Sequence, residues 1–132
     1  MKHTVFIFSI LLIFLTAEAA DAENSITGTY RGIIWSNSDH PGTTILKVNS
    51  SNKISGTYFF RDTNGENEKG KLTSCNLNGK VLFCHWNDVY GSGDWRVVFS
   101  NKFASFKGEW FDDIGGFKEY GIGSGHRWDG KK

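Results

Sequence analysis

The chain predicts an all-β domain, a single antiparallel meander of about eight strands that closes most readily into an up-and-down barrel. Three observations carry that expectation. A glycine followed two residues later by a large aromatic recurs in Ile26-Thr27-Gly28-Thr29-Tyr30 and Ile54-Ser55-Gly56-Thr57-Tyr58, with looser echoes at Gly93-Asp94-Trp95 and Phe106-Lys107-Gly108-Glu109-Trp110. Each copy lies in an alternating run, the period of a strand with one buried face. Aromatic and β-branched runs are short and punctuated by Gly, Asn, Asp and Ser, as between strands. Beyond the first 20 residues there is no run of Ala, Leu, Glu and Lys of the kind that favours a helix.

Those first residues read as a leader. Lys2 and His3 are a short polar start, Val5 to Leu15 is almost unbroken apolar, and Ala17, Ala19, Ala20 and Ala22 supply small residues. This is the layout of a secretory signal peptide over 1–20, cleaved after Ala20 or Ala22. The apolar run is shorter than the roughly 20 residues that span a bilayer, and no second run of that length follows. The remaining residues, 21–132, have the size of one small domain, expected to be secreted or periplasmic.

The elements follow in order. Ile26, Gly28, Tyr30, Gly32 and Ile34 share one face of a first strand, and Ser36 to Gly42 reads as a loop. Thr43–Val48 and Lys53–Arg61 form a hairpin across Asn49–Asn52, and Asp62–Lys69 reads as a polar loop. Lys71–Leu77 and Val81–Asn87 flank Asn78-Gly79-Lys80, a strong hairpin turn. Asp88–Gly93 reads as a loop, then Asp94–Ser100 and Phe103–Phe111 as strands across Asn101-Lys102. Asp112–Gly116 is a turn, and Phe117–Trp128 is a last, glycine-broken strand, with Lys131 and Lys132 a solvated tail. Short connections favour antiparallel neighbours, and closing the meander removes sheet edges. A two-sheet β-sandwich is the alternative.

Cys75 and Cys84 are the only cysteines. In an exported chain such a pair reads as a disulfide, and the tight turn between them places both on one face. A metal or redox pair lacks both CxxC spacing and a histidine cluster. Net charge is +1, and it stays +1 without residues 1–20 because Lys2 and Glu18 cancel. That leaves no cationic excess for nucleic acid. Asn49-Ser50-Ser51 is a glycosylation sequon in a turn, relevant only in a eukaryotic source.

No catalytic constellation is present: His40, His85 and His126 are scattered, and adjacent Asp112 and Asp113 would face opposite ways. His85, Asn87 and Asp88 are the nearest approach to metal ligands or an enzymatic set, so neither an enzyme nor a cofactor is expected. The five tryptophans are a heavy load, expected to divide between the core and a rim where rings stack on ligands. A polar pocket there would need Tyr58, Asn87, Asp88 and Ser92 to converge at one end.

The layout resembles the avidin-like, calycin-type small exported barrels. Gly28-Thr29-Tyr30, Val48-Asn49-Ser50 and Ile54–Tyr58 are similar to the first three strands of an avidin-type barrel. Trp86-Asn87-Asp88-Val89-Tyr90, Trp95 and Gly108-Glu109-Trp110 follow in a similar order. The resemblance implies that Tyr58 matches the family's biotin-contact tyrosine and that Trp86 and Trp110 are wall residues. Gly32 stands where the first-strand asparagine would be, and Thr43 in place of a serine, so the resemblance implies the fold more than biotin binding. The expected function is a non-enzymatic binding protein for a small ligand or glycan, with Trp35, Tyr58, Trp86, Asn87, Asp88 and Trp110 as candidate site residues. The alternative is an exported inhibitor or effector with a filled barrel that engages another protein.

Overall fold

The computed structural model describes residues 25–132; the leader expected over 1–20 lies outside them. Eight strands run in order: β1 (Gly28–Trp35), β2 (Asp39–Val48), β3 (Ile54–Arg61), β4 (Asn67–Asn78), β5 (Val81–Asp88), β6 (Gly91–Phe99), β7 (Ser105–Trp110) and β8 (His126–Lys131). Each pairs antiparallel with the next, and β8 returns to β1 through Arg31 opposite Lys131 and Ile34 opposite Trp128. The sheet is therefore a closed barrel and not a sandwich. Among the described residues no helix is long and apolar enough to cross a membrane.

Alternation holds around the barrel. Tyr30, Ile34, Thr44, Leu46, Tyr58, Phe60, Leu72, Leu82, Cys84, Trp86, Trp95, Val97, Phe99, Phe106 and Trp128 point inward and are buried. Rings fill the interior along its length. Trp128 packs edge-on against Tyr58 at 4.6 Å and Trp95 at 5.4 Å. Trp95 meets Phe106 at 5.6 Å, and Phe106 meets Tyr30 at 5.2 Å and Phe99 at 5.5 Å. These offset and T-shaped contacts suit the ring quadrupoles as well as burying area. Tyr30 finishes the column with its hydroxyl between the carbonyls of Ile26 (2.8 Å) and Phe103 (3.0 Å), which share its one proton.

Several connections are shorter than composition implies. The first loop is only Ser36–Ser38, and Pro41 lies inside β2 opposite Ile33. Pairing of β2 with β3 begins at Gly42, so Pro41 faces no neighbour on that side and its missing N–H breaks no ladder. The glycine-rich Asp88–Gly93 stretch is a turn over Val89-Tyr90, with Gly91–Gly93 already in β6. Gly93 is required there because a Cβ would overlap the Phe111 carbonyl. Likewise β4 starts at Asn67, so the polar loop is Asp62–Glu66.

The C-terminal region differs most. Phe117–Trp128 is not a strand: Gly116–Tyr120 is a short helix, α1, and β8 begins at His126. Lys131 and Lys132 are not a solvated tail. Lys131 pairs with Arg31 and Ser105, the Lys132 backbone N–H donates to the Ala104 carbonyl at 2.9 Å, and Lys132 Nζ donates to the Ser25 carbonyl at 2.6 Å.

Cys75 and Cys84 form a disulfide with their Cα atoms 4.1 Å apart, across β4 and β5 where the register shifts. A bulge lies beside it, where pairing shifts between Thr73 and Asn76 and Ser74 takes a left-handed φ of 51°. One inserted residue reverses the in-out parity of a strand. This is why Leu72 and Cys75, an odd number of positions apart, both turn inward.

The glycines that accommodate rings lie across the ladder from them. Tyr58 covers Gly70, its register partner on β4, and Phe106 covers Gly130, where a Cβ would lie 2.7 Å from the ring. Replacing Gly70 with Ala should lower stability by about 1–3 kcal/mol through overpacking, read as a drop in Tm. An unchanged Tm would show that Tyr58 can move aside. Replacing both cysteines with Ser should remove about 2–3 kcal/mol, as expected for a loop this short, measured by denaturant unfolding against the oxidised protein.

Candidate functional site

The two ends of the barrel are unlike. At one end the first described residues, the C-terminal residues and the Asn49–Lys53, Gly79–Lys80 and Ser100–Ala104 connections come together, with Phe103 packed on Phe99 and Lys132 over the Tyr30 ring. At the other, the Ser36–Ser38, Asp62–Glu66, Val89–Tyr90 and Phe111–Gly125 connections surround a cup of about 60 Å³. A water needs about 10–15 Å³ on this measure, so the cup has room for about four. Its lining is Ile34, Trp35, Ser36, Tyr58, Phe60, Trp86, Asp88, Tyr90, Trp110 and Trp128.

Strand parity brings these together. Trp86 and Asp88 are the last inward positions of β5, Tyr58 and Phe60 of β3, Ile34 of β1 and Trp110 of β7. Trp128, inward from β8, lies beneath them as the floor. Five expected site residues, Trp35, Tyr58, Trp86, Asp88 and Trp110, are thus assembled in one place. Asn87 is not among them: it is adjacent to Trp86 and Asp88 and therefore points outward, exposed, opposite Ser92 on β6. His85 is likewise on the outer wall, its Nδ1 3.3 Å from the buried Asp94 carboxylate. Thr44, and not its neighbour Thr43, is the inward threonine of β2. Phe60, Tyr90 and Trp128 complete the lining; Phe60 was legible from its two-residue spacing from Tyr58, whereas Tyr90 is in a turn and carried no such signal.

Most polar handles of the rings are already engaged. Trp86 Nε1 donates to the Phe111 carbonyl at 2.8 Å, Trp110 Nε1 to the Trp35 carbonyl at 3.0 Å and Trp128 Nε1 to Thr44 Oγ1 at 2.9 Å. The Tyr58 hydroxyl donates to Asp88 Oδ2 at 2.7 Å, and the Tyr90 hydroxyl to Asp62 Oδ2 at 2.8 Å. Asp88 Oδ1 also accepts the Tyr90 backbone N–H at 2.8 Å. At the rim, His126 stacks on Trp35, with centroids 4.4 Å apart and planes 7° apart, and leans on Trp110 at 4.5 Å.

The surrounding connection is tied to the outer wall through two buried carboxylates. Asp94 Oδ2 accepts the Phe117 N–H at 3.1 Å, and Glu109 accepts the Gly123 N–H at 3.0 Å and the Gly125 N–H at 3.3 Å. Asp62 organises its own loop by accepting the N–H groups of Asn64 and Glu66. The oxygens of Asp62, Glu66 and Glu68 come within 4.8 Å of one another, but those of Asp62 are already engaged in these bonds.

Burial, then the bond and charge of Asp88, push the Tyr58 phenol far above its usual range. Burial alone does the same for Tyr30. The bond to Asp62 pushes Tyr90 up to about 12 and holds the Asp62 carboxyl below its usual range. Compared with known proteins, the chain matches no family model, no curated protein and no solved structure.

A raised phenol pKa means the native state keeps a proton that the unfolded chain releases above about pH 10. Stability should therefore be insensitive to these tyrosines below pH 10 and fall as the pH rises beyond it. In an alkaline absorbance titration followed together with circular dichroism, Tyr30 and Tyr58 should ionise only as the fold is lost. Reversible ionisation of all four tyrosines near pH 10 in the folded protein would contradict this.

Proposed function

We propose that this protein is a non-enzymatic, exported binding barrel that holds a small ligand, or one group of a larger one, in the aromatic cup at its open end. The observation that carries this reading is that seven aromatic residues, each from an inward or end position of the barrel, surround one open space there together with a carboxylate. Concave, largely apolar sites with a few placed polar groups are the usual form of a small-ligand site. The size of the cup supports a headgroup-sized occupant, with any larger remainder left outside against the rim. The titratable lining groups are Asp88, Tyr58 and Tyr90, and both phenols are held on carboxylates. That arrangement suits recognition. The disulfide and the leader-like sequence support export.

A second reading, an exported interaction protein, is favoured by one specific observation. Val89, Tyr90, Ile114, Tyr120 and Ile122 are exposed apolar residues on connections at this same end. Exposed apolar groups clustered on loops mark surfaces that meet partners.

Calorimetric titration with a panel of small organic ligands should give saturable binding that the Ser36→Trp substitution, placed at the rim, weakens by more than about tenfold at unchanged Tm. Binding that survives this blocked rim but is lost in an Ile114→Ser, Ile122→Ser variant would transfer the function to the loops. No binding by any member of the panel would remove the reading.

A further inference from the structure

We infer that the cup is built for an organic cation, an alkylated ammonium group; this rests on the reading of the cup as a ligand site. Five of the six indole N–H and phenol O–H groups around the cup are donated to protein acceptors, which leaves the Trp35 N–H and the Ser36 hydroxyl at the rim. A neutral, acceptor-rich ligand such as a urea or a sugar needs donors that this wall has already committed. What the lining still offers is the π-surface of seven aromatic rings and a carboxylate. An ionised carboxylate accepts at about four lone-pair positions, and Asp88 uses two, on the Tyr58 hydroxyl and the Tyr90 N–H. No Lys or Arg lines the cup. Aromatic faces attract a cation through the ring quadrupole, most strongly tryptophan and most strongly when water is excluded.

A second, independent observation points the same way. The connections at the open end carry Asp62, Glu66, Asp112, Asp113 and Glu119 against Lys118 alone. Among the described residues, the connections at the opposite end carry Lys53, Lys80 and Lys102 with no acid, and Lys132 lies there too. The net charge of +1 hides this separation. A field of this sense draws cations toward the cup and repels anions from it, raising the association rate at low salt.

The size agrees. Space for about four waters accepts a compact methylated ammonium head and leaves its substituent outside, beside Tyr90 and the Asp62 loop. Alkyl groups on the nitrogen fit a wall with few free donors and acceptors better than a bare ammonium, which would give up hydrogen bonds to water without replacement.

The test is a titration of the purified protein with choline, tetramethylammonium and dimethylbutanol, the uncharged tert-butyl isostere of choline, together with neutral monosaccharides. Choline is expected to bind at least about tenfold more tightly than its isostere, and the preference should shrink as salt rises. Asp88→Asn removes the charge, keeps an oxygen for the Tyr90 N–H and presents its amide to the Tyr58 hydroxyl, which can rotate to accept from it, so it should abolish most of the preference at little cost in Tm. The double variant Asp112→Asn, Asp113→Asn, on exposed residues, should slow association of choline without affecting the isostere. Equal binding of choline and its isostere overturns the cation inference and leaves the cup as a ligand site. Binding of a sugar alone does the same. If neither cation nor neutral probe binds, both readings fall.

Discussion

The contact on which most of this structure depends is made by Trp128 of the closing strand. Its indole crosses the interior, donates to Thr44 on β2 at 2.9 Å and packs between Tyr58 and Trp95. Closure at the β8–β1 seam rests on two paired positions, one of which is Trp128 itself opposite Ile34. A large buried side chain on the last strand adds to the backbone pairing at that seam. The same ring is the roof of the packed column and the floor of the cup. Truncating it would leave a cavity costing several kcal/mol and join the cup to the core.

Rigidity of the open end follows from commitments made outside it. The walls are held because the N–H groups of Trp86 and Trp110 are fixed on carbonyls, and Tyr58 on Asp88. The connection from Phe111 to Gly125 is held because Asp94 and Glu109, buried on the outer surface, accept its backbone donors. A site formed in advance loses little conformational entropy on binding. The interactions that organise the cup are also those that use up its donors, so its rigidity and its selectivity have one origin.

Much of the fold was legible in the chain. Alternation around Tyr30, Tyr58 and Trp95, and turn chemistry at Asn78–Lys80, are local signals, and the barrel with its Cys75–Cys84 bond follows them. Glycine misled wherever its reason was a distant neighbour. Gly91–Gly93 reads as a loop by composition and is strand, because the Phe111 carbonyl packs onto Gly93. The glycines after Phe117 conceal a helix, because no periodic stretch long enough to signal it exists in five residues. Asn87 was grouped with Trp86 and Asp88 by proximity in sequence, although the period of a strand sends it to the opposite face.

By itself, then, the sequence determined the properties carried by nearest neighbours: strand character, the order of the meander, the disulfide pair and the inward set of aromatic residues. Tertiary structure alone decided that the C-terminal residues close the barrel, that seven rings surround a cup at one end, and that the described connections at the two ends carry charge of opposite sign. It also decided which donors are satisfied. The physical reason is range. Periodicity and turn preference act over two to four residues, whereas closure joins residues such as Thr44 and Trp128 that only the finished sheet brings together.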